Sequence, residues 1–184
     1  MKLAALLAIL ALALPVFAAD GPGSSASEQA IRKLVADFAA ARNAFDADAM
    51  SRLYADDAEY IAFGQPLARG RAAIRTTWSG IQADRTARAD RVVRSIHFIR
   101  PDVAVVQIDV SYAGLTLDSL HTNVSFIDTF VVAKRRRQWQ IVVHESVLPD
   151  PERKRIEQLQ SRSLSSPTEK TPLPVPESHD PASA

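Results

Sequence analysis

The chain has 184 residues, 47% of them hydrophobic and 23% charged, with 11 Pro, 6 Gly and no Cys. That length supports one domain with a real core and is too short for two full-sized catalytic domains. The absence of Cys excludes disulfides, thiolate nucleophiles and Cys-ligated metal centres, and 22 Lys and Arg against 21 Asp and Glu leave a formal charge of +1, which argues against a dedicated nucleic-acid surface.

Lys2 is followed by an unbroken apolar run, Leu3 to Leu14, and then by Pro15-Val16-Phe17-Ala18. This order predicts a secretory signal peptide over 1–18, cleaved after Ala18 or, failing that, Ala19. A membrane anchor needs about 20 apolar residues, more than this run supplies, although an uncleaved anchor is the alternative. Export without disulfides points to a bacterial periplasm or exterior, with no membrane attachment after cleavage.

Residues 19–27 read as a linker, and Ser25 with Glu28 as a capping box opening a first helix. That helix places Ile31, Leu34, Val35, Phe38 and Phe45 on an apolar face, with Arg32, Lys33, Asp37 and Arg42 opposite. Asp46 or Asp48 caps a second helix presenting Met50, Leu53 and Tyr54 and ending at Asp56-Asp57. A short strand over 59–63 and a turn-rich segment over 64–70 precede a third helix, Arg71 to about Ile81, with Ile74, Trp78 and Ile81 on one side. The period then changes to two, predicting strands near 91–99, 103–112, 122–133 and 138–147. They are separated by Arg100-Pro101-Asp102, a loop through Gly114 and Asp118-Ser119, and the basic turn Lys134 to Arg137. Helices followed by an antiparallel meander make an α+β domain over 28–149, in which the three helices are the cover available for the sheet. Residues 150–160 suit a short helix. The stretch 161–184 is Pro- and Ser-rich and reads as a disordered tail, or alternatively as a recognition peptide.

Within the third of those strands Val124, Phe126, Asp128, Phe130 and Val132 share a face, so Asp128 interrupts an apolar row. His144 on the last strand is its candidate partner. The pair has a structural reading and a pocket reading; in the latter Asp128, its pKa raised by the apolar setting, donates a hydrogen bond while His144 acts as general base. Trp139, Ile141, Val143 and Val147 alternate with His144 and form an apolar row expected to pair two copies of the chain through the sheet. His97, His121, His144 and His179 lack the spacing of a metal site, and no cofactor fingerprint occurs.

Three segments, Leu53-Tyr54-Ala55-Asp56-Asp57-Ala58, Gly70-Arg71-Ala72-Ala73-Ile74-Arg75 and Trp139 to Ser146, resemble the SnoaL-like and ketosteroid-isomerase-like proteins of the nuclear-transport-factor-2-like superfamily, and especially the exported branch of SgcJ/EcaC type. The resemblance implies a cone: a curved antiparallel sheet wrapped by three N-terminal helices around a deep pocket, commonly dimeric through the sheet. It implies a pocket bordered by Phe38, Tyr54, Trp78, Tyr112, Phe126 and Phe130 beside Asp128 and His144. The isomerase pattern transfers incompletely. Its general-base Asp falls at Ala62 and its oxyanion Tyr at Phe38, while Asp128 matches the protonated Asp and Trp78 a supporting aromatic. Without the base, steroid isomerisation is not expected. The expectation is an exported domain binding a small, mostly apolar molecule, with weak acid–base chemistry of isomerase, cyclase or dehydratase type. The alternative is a non-catalytic homodimeric structural or interaction module.

Overall fold

The computed structural model describes residues 23–81, 87–117 and 120–165. The expected signal peptide, most of the linker, the loop at Asp118-Ser119 and His179 lie outside the described residues. The elements run α1 (Ser25–Asn43), α2 (Ala47–Arg52), β1 (Tyr54–Ala62), β2 (Gln65–Arg69), α3 (Arg71–Ile81), β3 (Arg88–Arg100), β4 (Val103–Leu117), β5 (Leu120–Arg135), β6 (Gln138–Val147) and α4 (Asp150–Ser165). No helix among the described residues is long and apolar enough to cross a membrane.

Local chemistry sets the boundaries. Ser24, not Ser25, caps α1: its hydroxyl accepts from the Ser27 amide, and Glu28 pairs with Arg32 one turn on instead of closing a box. Phe45 falls beyond the helix in a left-handed conformation. Arg42, expected on the solvent face, lies four residues after Phe38 and is buried with it. Asp46 accepts from the Ala49 amide and starts α2, which stops at Arg52, so Leu53 and Tyr54 are not helical and Asp56-Asp57 belongs to a strand. The segment expected as a turn contains β2, an edge strand in which Pro66 is tolerated because it needs no outward partner. Gly114 sits at an irregularity within β4, not in a loop. Arg136 and Arg137, both at positive φ, form the two-residue β5–β6 turn.

The sheet has the order β2-β1-β6-β5-β4-β3 and is antiparallel except where β1 runs parallel to β6. Register irregularities occur in the β1–β2, β3–β4, β4–β5 and β5–β6 pairs, and such bulges bend a strand and increase its twist. The result is the expected α+β cone: a curved, unclosed sheet whose inner face is covered by α1, against β3 and β6, and by α3, against β1 and β2.

One bulge overturns an expectation. Val131 pairs with Val143 and Val132 with Ile141, so Val142 is an extra residue that switches the parity of β6. Ile141 and Trp139 therefore face the interior together with His144, and Trp139 meets Phe98 edge-on at 6.1 Å. The outer face instead carries an in-register row, Val105, Val131 and Val143.

The domain also continues past Pro149. The α4 helix reaches Ser165, so residues 161–165 are helical, and Ile156 is buried in the core while Glu152 Oε1 accepts from the Ser125 amide at 3.0 Å. Ile156→Ala should cost about 2 kcal/mol or more in urea denaturation. An unchanged midpoint would place α4 outside the cooperative unit.

Candidate functional site

The interior beneath the helices holds a polar chain among aromatic rings. Trp78 Nε1, from α3, donates to the Tyr54 hydroxyl at 3.2 Å, and that hydroxyl lies 2.7 Å from His144 Nδ1. Because indole only donates, the Tyr54 oxygen accepts from Trp78, and the direction of its bond to Nδ1 follows the imidazole tautomer. His144 Nε2 faces Ser146 Oγ at 3.2 Å and Asp128 Oδ2 at 3.4 Å, and Ser146 Oγ donates to Asp128 Oδ1 at 2.5 Å. Asp128 and His144 thus stand on one face of the sheet. Arg91, reaching from β3, puts Nε 3.6 Å from Asp128 Oδ2 and donates from Nη2 to the Tyr112 hydroxyl at 3.1 Å.

These contacts reverse the expected titration of Asp128. Burial pushes its carboxyl up, but His144, Arg91 and the Ser146 hydroxyl outweigh it, holding the group below the ordinary carboxylate value. It is a carboxylate, not a neutral donor. The sequence could not supply this, since nothing in it joins Arg91 to Asp128. Burial drives the Tyr54 and Tyr60 phenols well upward, so both remain neutral donors.

A cavity of about 400 Å³ opens beside this chain, lined by Arg42, Tyr60, Ala62, Phe63, Leu67, Trp78, Ile81, Tyr112, Leu115, Thr116, Phe126, Asp128 and Ser146. Of the residues expected at a pocket, Trp78, Tyr112, Phe126 and Asp128 line it. Phe38, Tyr54, Phe130 and His144 do not: all four are completely buried behind it, with Phe38 edge-on to Tyr54, Trp78, Phe130 and His144 at 5.2–6.1 Å. His144 can therefore orient Asp128 but does not meet the cavity. Ala62, where the isomerase pattern has its base, presents a methyl group to the cavity wall.

The mouth carries large exposed apolar side chains, Phe63 (59%), Leu67 (45%) and Ile81 (40%). Phe63 and Gly64 are the two residues between β1 and β2, both at positive φ, the backbone of a turn that suits Asn-Gly. A bulky aromatic there is strained. Sequence reasoning missed Phe63, Leu67, Arg42 and Ser146. The Phe-Gly step between two strand-forming stretches was the available signal for the first.

Among the described residues no group of three His, Asp or Glu side chains is arranged to hold a metal. His97 and His121 are exposed, far from His144 along the chain, and His121 meets Thr116 at 3.3 Å.

A curved sheet closed by helices over a polar chain and a side cavity defines a cone-type α+β domain. The chain belongs to the SnoaL-like domain family, which matches residues 31–151. Among solved structures it is similar to a cystatin-like-fold protein from Caulobacter vibrioides (14% identity, 73% of this chain and 97% of that one, TM-score 0.62). It is also similar to a ketosteroid isomerase-like protein from Erwinia carotovora (17%, 67% and 96%, TM-score 0.57) and to a scytalone dehydratase candidate from Novosphingobium aromaticivorans (20%, 67% and 85%, TM-score 0.60). At these identities the likeness is one of fold. No curated protein sequence matches the chain.

Asp128 has a lowered pKa, so its stabilising contribution is complete above the ordinary carboxylate value of about 3.9 and is lost as pH falls through the lower folded value. Asp128→Asn should cost about 3 kcal/mol or more at neutral pH, because it strands Arg91, and should flatten the loss of stability as pH falls from neutral to below the ordinary carboxylate value. Denaturation curves across that range test both; an unchanged acid limb would show that the carboxylate does not carry it.

Proposed function

We propose that this is an exported domain that binds a small, mostly apolar molecule in its cone, with acid–base chemistry as a secondary capability. The observation that carries the reading is the cavity itself: about 400 Å³, walled mostly by aromatic and aliphatic side chains, with exposed apolar groups at its mouth and a few polar groups, among them Arg42, Asp128 and Ser146, in its lining. A filled cone would favour a purely structural module. Similarity of fold to a ketosteroid isomerase-like protein and a scytalone dehydratase candidate is compatible with either binding or turnover. Export rests on the N-terminal eighteen residues alone.

Asp128, an ionised carboxylate against the cavity, is the group placed to accept a proton from a ligand, and His144 positions it through Nε2. Its depressed pKa makes it a weak base, far from the near-neutral value that suits proton abstraction. That weighs toward binding and orientation over rapid turnover.

Pairing of two copies through the outer face of the sheet belongs to the same proposal. Its support is the row Val105, Val131 and Val143, which no helix covers, flanked by the more exposed Val92 and Val147. Light scattering at tens of micromolar should give the mass of two chains, and Val131→Arg the mass of one. A monomeric parent would remove the pairing from the proposal.

The binding reading is tested with phenylnaphthylamine, a neutral apolar fluorophore. It should bind the parent protein, whereas Phe63→Asn should weaken binding by about fivefold while raising the unfolding midpoint, because Asn-Gly fits the turn that Phe-Gly strains. Failure of the parent protein to bind the probe, or unaltered binding after the substitution, would count against this cavity as the site.

A further inference from the structure

The cavity contains a charge that the described residues do not balance. Arg42, in the last turn of α1, is 1% exposed, lines the cavity, and has Nε and Nη1 without a hydrogen-bond partner. The Arg91 side chain is equally buried, and its Nε and Nη1 also lack hydrogen bonds, although its Nε lies in ion-pair range of Asp128. The two guanidinium carbons sit over one ring, 5.4 Å and 5.7 Å from the centroid of Tyr112. A ring face eases such cations but does not neutralise them.

Against these two cations the buried interior offers, among the described residues, one carboxylate, Asp128. Its oxygens are already engaged by Ser146, His144 and Arg91. No ion pair to Arg42 occurs among the described residues. Histidine or lysine in this position could shed its proton, but guanidinium does not, so the charge persists at every physiological pH. A permanent, fully buried, unpaired cation is among the most unfavourable arrangements in a folded chain, and it is retained here on the wall of a cavity.

We propose that the ligand of this cavity is an apolar carboxylic acid, bound as its anion with the carboxylate at Arg42 and its hydrocarbon part against Trp78, Phe126 and the mouth. The inference rests on the cavity being the binding site and adds the charge of what enters it. One negative charge completes the balance of two guanidiniums and one carboxylate. A phosphate monoester would bring about two charges at neutral pH and overshoot it. The apolar lining and the rim of Phe63, Leu67 and Ile81 suit a hydrocarbon body, not a polar metabolite.

Calorimetry with phenylbutanoate and its neutral isostere phenylbutanamide tests this directly on the parent protein at pH 7. The acid should bind at least about tenfold more tightly, the scale of a charge-assisted hydrogen bond made in a desolvated site. Arg42→Met keeps the length and removes the charge. It should bring the acid to the level of the amide and raise the unfolding midpoint of the ligand-free protein, since an unpaired buried charge is gone. Arg42→Gln serves the same comparison if the methionine variant does not fold, and the parent's acid-to-amide ratio needs no variant. Equal affinities for acid and amide in the parent, or selectivity surviving the loss of Arg42, would overturn the carboxylate while leaving the apolar site in place. Binding of neither compound at millimolar concentration would overturn both.

Discussion

A carboxylate sits in the middle of the longest strand, on the face that α1 and α3 cover, and the interior is arranged around keeping it charged. Asp128 has Phe126 and Phe130 two residues away on either side and is almost wholly inaccessible. Left without partners it would be protonated or would unfold its surroundings. Its partners come from different elements: Ser146 and His144 from β6, Arg91 from β3, and through His144 the Tyr54 hydroxyl of β1 and the Trp78 indole of α3. Arg91 and Asp128 belong to strands separated by β4, about 10 Å apart in a flat sheet. Their approach to 3.6 Å along the inner face goes with a sheet that curls, so the ion pair and the curvature support each other.

The bulges make that curl, and they mark where sequence patterns stop being informative. Strict alternation along β6 puts Trp139 and Ile141 opposite His144, yet the single extra residue at Val142 returns them to the core. Pattern reading has no means of locating a one-residue parity switch in a run of β-branched residues, because every member suits either face. The same limit hid β2, whose Gln-Pro start reads as a turn. The helical elements were legible because their signals are local: α3 runs from Arg71 to Ile81, as its spacing of Ile74, Trp78 and Ile81 predicts, and Asp46 caps α2.

For the site, legibility followed residue type. Asp128 and His144 stood out as polar residues in apolar rows, and the structure brings them together. Arg42 and Arg91 also occupy inward positions, Arg42 by its four-residue step from Phe38, but arginine on an amphipathic element is ordinarily read as solvated and so carried no signal. The segments that revealed the family proved to be staples of the fold. Arg71 donates to the Tyr54 carbonyl and pairs with Asp56 at 2.8 Å, while the Gly70 amide donates to the Ala58 carbonyl at 2.7 Å, fixing the start of α3 against β1. Gly70 needs its positive φ there, and a Cβ would meet the Asp56 carbonyl at 3.4 Å. Residues that recur for such reasons identify architecture and are silent about what the cone holds.

Some unfavourable features of this domain lie away from the cavity, such as the unpartnered Trp139 indole N–H and the exposed Val92 and Ile99, but several gather at it. The aromatic packing around Phe38 is dense, and the polar chain from Trp78 to Asp128 is hydrogen-bonded through Tyr54, His144 and Ser146. At the cavity the same molecule keeps Phe63 in a left-handed turn, three large apolar side chains facing solvent, and a buried guanidinium with unpaired donors. Each would be relieved by an ordinary substitution elsewhere in a protein, and together they lower the stability of the ligand-free state. That a strained turn, exposed apolar side chains and a buried unpaired guanidinium fall together at one concave end is explained most simply if a ligand supplies both apolar contact and negative charge there. On that argument the depressed pKa of Asp128 has a second consequence. By remaining ionised beside Arg91 it gives that cation a counter-charge, so that among the described residues the buried guanidinium left to meet an incoming anion is that of Arg42.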